Sequence, residues 1–139
     1  MDHGTAKDWL DRYVAAWLSY DPAAIGDLFS EDVVYRYHPS DEPTTGREAV
    51  VASWLGESNV DGVSTRDEPG TYEASYAPLA IEGDVVVATG ISTYYTAPGG
   101  PVDSVYDNCF VMRFDGEGRC QEFTEYYVKR PGGVPAPLP

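Results

Sequence analysis

Between residues 72 and 129 four segments rich in Val, Thr, Tyr and Phe (72–81, 85–96, 102–114 and 119–129) are punctuated by three turn signals. These are Glu82-Gly83-Asp84, Pro98-Gly99-Gly100-Pro101 and Asp115-Gly116-Glu117-Gly118. Turns this short join strands only as antiparallel neighbours, because a parallel return needs a crossover of a dozen residues or more. The second half of the chain is therefore expected to be a meander. One face of such a sheet must be covered, and only the first half of the chain is available to cover it.

That first half reads as helices. In 5–20, Leu10, Tyr13, Val14, Trp17 and Leu18 recur at the three- and four-residue spacing of one helix face. Thr5 followed by Asp8 predicts the N-cap. Asp21-Pro22 stops this helix and starts a short second one carrying Ile25, Leu28 and Phe29. Residues 33–38 alternate as a strand, with Val33, Tyr35 and Tyr37 inward and Val34, Arg36 and His38 outward, since an unpaired buried Arg is expensive. Gly46 to Leu55 predicts a third helix, with Val50 and Trp54 on its inner stripe. Residues 56–70 read as a loop, and the Pro/Gly tail 131–139 can form neither helix nor interior strand. Helices followed by hairpins give an α+β class: three N-terminal helices held by a curved antiparallel sheet, one domain over 6–130, and a disordered N-terminus at 1–5.

The Asp115–Gly118 turn suggests a register for the last hairpin. With Phe114 opposite Arg119, Met112 faces Gln121, Phe110 faces Phe123, Asn108 faces Glu125 and Tyr106 faces Tyr127. These residues share one face, which is the more apolar and is assigned inward. The other face takes Asp107, Cys109, Val111, Arg113, Cys120, Glu122, Thr124 and Tyr126. Glu125 is thereby expected among Phe and Tyr rings, where burial disfavours the charged carboxylate and raises its pKa towards the range useful for general acid–base work. Cys109 and Cys120 fall on the outer face roughly 13 Å apart, beyond the ~7 Å reach of a disulfide.

Composition narrows the function classes. Lys and Arg number 9 against 23 Asp and Glu, a net charge of −14, which argues against nucleic-acid or anionic-membrane partners. The N-terminus lacks a basic region followed by an apolar run, and no apolar stretch approaches the ~20 residues that span a bilayer, so a cytoplasmic location is expected. Eleven of the 18 aromatic residues are Tyr, which favours a polar-lined cavity or an adhesive surface. Walker loop, dinucleotide glycine motif, zinc spacing and Gly-x-Ser-x-Gly elbow are all missing, so no metal and no cofactor is expected. The pairs Asp41-Glu42 and Asp67-Glu68 read as solvated loop acids.

Several local signatures then line up: Tyr20-Asp21-Pro22-Ala23-Ala24, Leu28-Phe29-Ser30-Glu31-Asp32-Val33, Gly46-Arg47-Glu48-Ala49-Val50, Tyr106-Asp107-Asn108-Cys109-Phe110, and Glu125-Tyr126. Their order resembles the nuclear transport factor 2-like superfamily and its SnoaL-like branch over about residues 6–130. The resemblance implies a cone, a bent sheet around three helices with a pocket at one end, and a homodimer joined through the outer sheet face. Members include ketosteroid isomerase, scytalone dehydratase, polyketide cyclases and phenazine-biosynthesis proteins. The closing segment is most similar to the phenazine-biosynthesis A/B proteins, in which a Glu before an aromatic residue is a pocket acid, the place Glu125 occupies here. Phe110 stands where ketosteroid isomerase carries its acid.

The expected site combines Glu125 as acid/base with Asn108 and His38 as the other catalytic candidates. His3 is assigned to the tail. Expected ligand-lining residues are Tyr13, Trp17, Tyr35, Tyr37, Trp54, Tyr76, Tyr94, Tyr106, Phe110, Met112, Phe123 and Tyr127. The expected partner is a small apolar molecule, cyclic or polyketide-like, on which proton transfer would achieve isomerisation, cyclisation or dehydration. The same pocket could instead hold a ligand without catalysis, or the Tyr-rich sheet face could serve as a protein adaptor.

Overall fold

A computed structural model of the chain describes residues 1–56 and 67–132. The predicted loop is therefore described only at its ends, and most of the predicted tail lies outside the described residues. Helix α1 runs His3–Ser19 and is capped by Asp2, whose carboxylate accepts from the Thr5 N–H at 2.8 Å. Thr5 is thus inside the first turn rather than at the cap, and residues 3–5, expected to be disordered, are helical. The helix ends at Tyr20 in the left-handed conformation (φ 52°), with its N–H bonded to the Ala16 carbonyl. Asp21 then caps α2 (Pro22–Asp27), as its sequence implied.

The buried stripe of α1 is Ala6, Trp9, Leu10, Tyr13 and Ala16. It sits one position away from the predicted stripe: Leu18 is 50% exposed, being about 100° round the helix from Trp17. Trp9 takes the centre. Its ring lies within 5.2–6.4 Å of Tyr13, Phe29, Phe114 and Phe123, and its Nε1 donates to the Leu28 carbonyl at 3.0 Å. That bond satisfies the polar atom that otherwise makes a buried Trp costly.

Strand β1 spans Phe29–Arg36, β2 is the short Thr44–Thr45, and α3 spans Arg47–Leu55 after Gly46. Leu28 and Phe29 therefore leave the second helix for the cap and the strand. Strands β3 (Tyr72–Glu82), β4 (Val85–Tyr95), β5 (Val102–Phe114) and β6 (Cys120–Lys129) follow the predicted segments closely. The curved, unclosed sheet has the order β2-β1-β6-β5-β4-β3. The four-strand meander is antiparallel throughout, but β1 pairs with β6 in parallel, so the sheet is mixed. Short turns fix direction only between consecutive strands. The link from β1 to β6 runs through the rest of the chain, and turn chemistry is silent on its direction.

The β5–β6 register is displaced by two residues from the sequence reading. Asn108 opposes Tyr127, Phe110 opposes Glu125 and Met112 opposes Phe123, with a bulge where Phe114 pairs with Cys120. The cause is the turn: the Asp115 carboxylate accepts from the N–H groups of both Glu117 and Arg119 at 2.9 Å, and Gly118 adopts φ 80°. A shift of two leaves inward residues inward. The bulge, however, reverses Cys120, which is fully buried beside Phe114 instead of lying outward. Cys109 and Cys120 are free thiols, and they do not share the face on which their separation was reckoned.

Among the described residues no helix is long and apolar enough to cross a membrane.

Candidate functional site

One end of the cone is solid and the other is hollow. At the solid end Phe29, Phe110, Phe114 and Phe123 pack against Trp9, Tyr13 and Trp54. At the hollow end the inner faces of β3 to β6, α1 and the end of β1 enclose a cavity of about 660 Å³.

Its wall carries a polar ladder across three strands. Ser92 on β4 donates from Oγ to Asn108 Oδ1 at 2.9 Å, and Asn108 on β5 donates from Nδ2 to Glu125 Oε2 on β6 at 2.8 Å. With Glu125 ionised, the Asn108 amide turns its nitrogen to the carboxylate and its oxygen to the Ser92 hydroxyl. Glu125 is pushed up to about 7. Burial is the main cause, opposed by the Asn108 hydrogen bond and by the charge of His38. Glycine at position 90 makes the wall possible. Gly90 pairs with Tyr76 on one side and Asn108 on the other, and a Cβ there would stand 2.1 Å from the Ser75 carbonyl oxygen and 2.3 Å from the Tyr76 ring.

Phenols supply most of the remaining lining. Burial pushes the hydroxyls of Tyr13, Tyr35, Tyr72, Tyr76 and Tyr94 well above their ordinary pKa, and the Glu125 charge adds to each. They stay protonated and can donate. Tyr72 and Tyr76 bond each other at 3.2 Å, and Tyr37 bonds Ser53 at 2.7 Å. Tyr35 differs: it is 1% exposed and stacked on Phe123 at 4.6 Å, and among the described residues its hydroxyl lies near Tyr13 and Trp54 without a partner in good hydrogen-bonding geometry. Among the described residues Trp54 Nε1 is likewise buried without a partner in that geometry. Of these two donors only Tyr35 is on the cavity lining, where a ligand oxygen could satisfy its hydroxyl.

At the rim, His38 lies where β1 has ended, so the strand alternation that assigned it outward no longer applies. Its Nδ1 is hydrogen-bonded to Asp41 Oδ2 at 3.0 Å, and its Nε2 to the Tyr127 hydroxyl. Asp41, expected as a solvated acid, thus orients the histidine. All three side chains remain exposed.

A family model for the SnoaL-like domain matches residues 10–123, most of the chain. The chain belongs to the SnoaL-like family. This places it in the nuclear transport factor 2-like superfamily, whose α+β cone the described elements reproduce. A search of curated proteins finds no match.

Within this SnoaL-like cone the structure brings Glu125, Asn108 and His38 to one cavity, together with Tyr13, Trp17, Tyr35, Tyr37, Tyr76, Tyr94, Tyr106 and Tyr127. Trp54, Phe110, Met112 and Phe123 are not on the lining; they fill the packed core. Glu125 and Asn108 meet diagonally rather than directly opposed, as the two-residue register displacement requires. Sequence reasoning missed Ser92 and Tyr72, although period-2 alternation from Tyr94 and Tyr76 reaches both. It also missed Asp67, whose carboxylate lines the cavity, half-buried, and accepts from Trp17 Nε1 at 2.6 Å. No periodic pattern marks Asp67, because it sits in a loop. Among the described residues no three His, Cys, Asp or Glu side chains converge as metal ligands.

Proposed function

We propose that this SnoaL-like protein is a cofactor-independent isomerase or lyase that moves a proton on a small cyclic, polyketide-like substrate, with Glu125 as the acid/base. The observation that carries this reading is the carboxyl of Glu125, set into the cavity wall, held by one amide donor and balanced near neutrality at about 7. A group so poised exists in both forms at neutral pH, which serves removal of a proton from carbon and its return elsewhere. Removing a proton next to a ketone develops negative charge on the ketone oxygen. The buried, unpartnered Tyr35 hydroxyl supports a role as donor to that oxygen, with Asn108 fixing the carboxylate. We further propose a homodimer through the outer sheet face, supported by the exposure of Val111, Tyr126 and Val128 on neighbouring strands.

Deuterium exchange tests the proton-transfer step directly. With 2-tetralone as probe in D₂O, the wild-type protein is expected to accelerate loss of the α-proton NMR signal, with a rate rising as pH passes through about 7 and a loss of roughly 10²-fold or more in Glu125→Gln. A probe that binds by saturation-transfer NMR but exchanges no faster than in buffer would leave a ligand-binding protein without catalysis. Exchange unaffected by Glu125→Gln would reject this residue as the base.

A further inference from the structure

The cavity carries a second carboxylate that the proton-transfer reading does not use. Asp67 lies against Trp17, whose indole N–H it accepts, and its own backbone N–H donates to the Tyr20 hydroxyl at 2.7 Å. Tyr72 and Tyr94 line the same cavity, and the Asp67 charge raises the pKa of both hydroxyls. Those rings belong to a continuous aromatic belt: Trp17 contacts Tyr72 at 6.4 Å, Tyr72 contacts Tyr94 at 5.2 Å and Tyr94 contacts Tyr106 at 5.7 Å. The acid here is half-buried, and all the neighbours named are neutral.

Among the described residues no lysine or arginine pairs with Asp67 and none lines the cavity. Several described basic side chains instead serve exposed acids elsewhere, such as Arg130 on Asp107 and Arg113 on Asp84. Burial works against the ionised carboxylate and pushes Asp67 upward, opposed by hydrogen bonds from Trp17 and Tyr20, and no cation among the described residues offsets it. What would relieve it is a positive charge brought from outside into an aromatic enclosure, where ring quadrupoles add to the attraction of the carboxylate.

We infer that Asp67, with Trp17, Tyr72 and Tyr94, forms a subsite for an organic ammonium group, so that the ligand of this cavity is an amine-bearing or quaternary ammonium molecule. The subsite deepens the proposed function by naming the substrate class, and it rests on that reading only for the rest of the ligand. A carboxylate-bearing ligand is disfavoured, because Asp67, Glu68, Asp103 and Glu125 all line the same cavity.

Three probes of one shape class decide it: benzyltrimethylammonium, benzyl alcohol and benzoate, each titrated calorimetrically at pH 8 and checked by saturation-transfer NMR. Benzyltrimethylammonium is expected to bind the wild-type protein at least tenfold more tightly than benzyl alcohol, with benzoate weakest. Asp67→Asn, which keeps an acceptor for the Trp17 N–H, is expected to erase that advantage. Equal binding of the cation and the alcohol would overturn the inference, and this ranking needs no variant and so does not depend on one folding. A preference that survives Asp67→Asn but disappears in Glu125→Gln would also overturn it, by assigning the attraction to the wrong carboxylate. These outcomes are independent of deuterium exchange, so the ammonium subsite and proton transfer can fail separately.

Discussion

The same two strands build both ends of the cone, and they change character halfway along. On β5 the inward residues read Phe114, Met112, Phe110 and then Asn108 and Tyr106; on β6 they read Cys120, Phe123 and then Glu125 and Tyr127. Where phenylalanine and methionine stand, the interior is filled by packed side chains. Where hydroxyl, amide and carboxyl take over, the rings no longer close the space and a cavity opens. The fold is shared, and the division between structural core and site is made by polarity alone. Each group in the hollow half has to be matched by a neighbour or by a ligand.

The largest expected effect lies in the packed half. Phe123 is fully buried against Trp9, Tyr13, Tyr35 and Phe110, so Phe123→Ala should cost about 3–5 kcal/mol by urea unfolding. Tyr106→Ala, on the same sheet face at the hollow end, should cost about 1 kcal/mol or less. Equal costs would mean that the hollow half is as tightly packed as the core, and the comparison would break.

Second comes the carboxyl that sits at the boundary. Glu125 is raised from an ordinary 4.5 to about 7 in the folded protein, so the native state binds its proton more tightly than the unfolded chain does. Stability contributed by the neutral form is complete below about 4.5 and is lost as pH rises through about 7, a difference of about 3 kcal/mol. Glu125→Gln should therefore stabilise the protein at pH 8 and have little effect at pH 4. Thermal melts of both proteins at the two pH values check the sign. Asp67, also raised, shifts the wild-type curve in the same direction.

A smaller effect tests the ladder. Asn108 donates to the charged carboxylate and so holds Glu125 down. Asn108→Leu should move the Glu125 midpoint above about 7 in a carbon-detected NMR titration, and should cost about 1–3 kcal/mol through the stranded Ser92 hydroxyl and the lost bond to the carboxylate. A midpoint that falls would show that burial is not what dominates at this position.

How far the sequence shows this division can be judged residue by residue. Turn signals located β3 to β6 almost to the residue because Gly, Pro and Asp act locally. Parity placed Glu125, Asn108 and Tyr127 on the inner face even though the register was two residues off, since a shift of two preserves the face. The bulge that turned Cys120 inward was hidden, because it arises from Asp115 gathering two backbone N–H groups within the turn. The parallel pairing of β1 with β6 depends on contacts remote in sequence, which no local pattern encodes. Asp67 and Asp41 both read as solvated acids because loops lack periodicity; Asp41 is exposed, and only the folded arrangement brings it to His38 and half-buries Asp67 against Trp17. Phe110, Met112 and Phe123 were drawn into the predicted lining because alternation gives the face of a residue but not its depth along the cone.

The smallest expected effect concerns the rim. Tyr127 is exposed, and its hydroxyl bonds to His38, itself held by an exposed Asp41. Water can replace such a bond at little cost, so Tyr127→Phe should change stability by no more than about 0.5 kcal/mol, a shift of roughly 1–3 °C in Tm. The phenol is uncharged at neutral pH, and its removal leaves both the burial of Glu125 and the Asn108 bond in place. The Glu125 midpoint should therefore stay at about 7. A large displacement of that midpoint by Tyr127→Phe would mean that the His38–Tyr127 contact closes the cavity over the carboxyl. The boundary of the hollow half would then lie at the rim, and the Ser92–Asn108–Glu125 ladder would no longer suffice to explain why this acid is poised near neutrality.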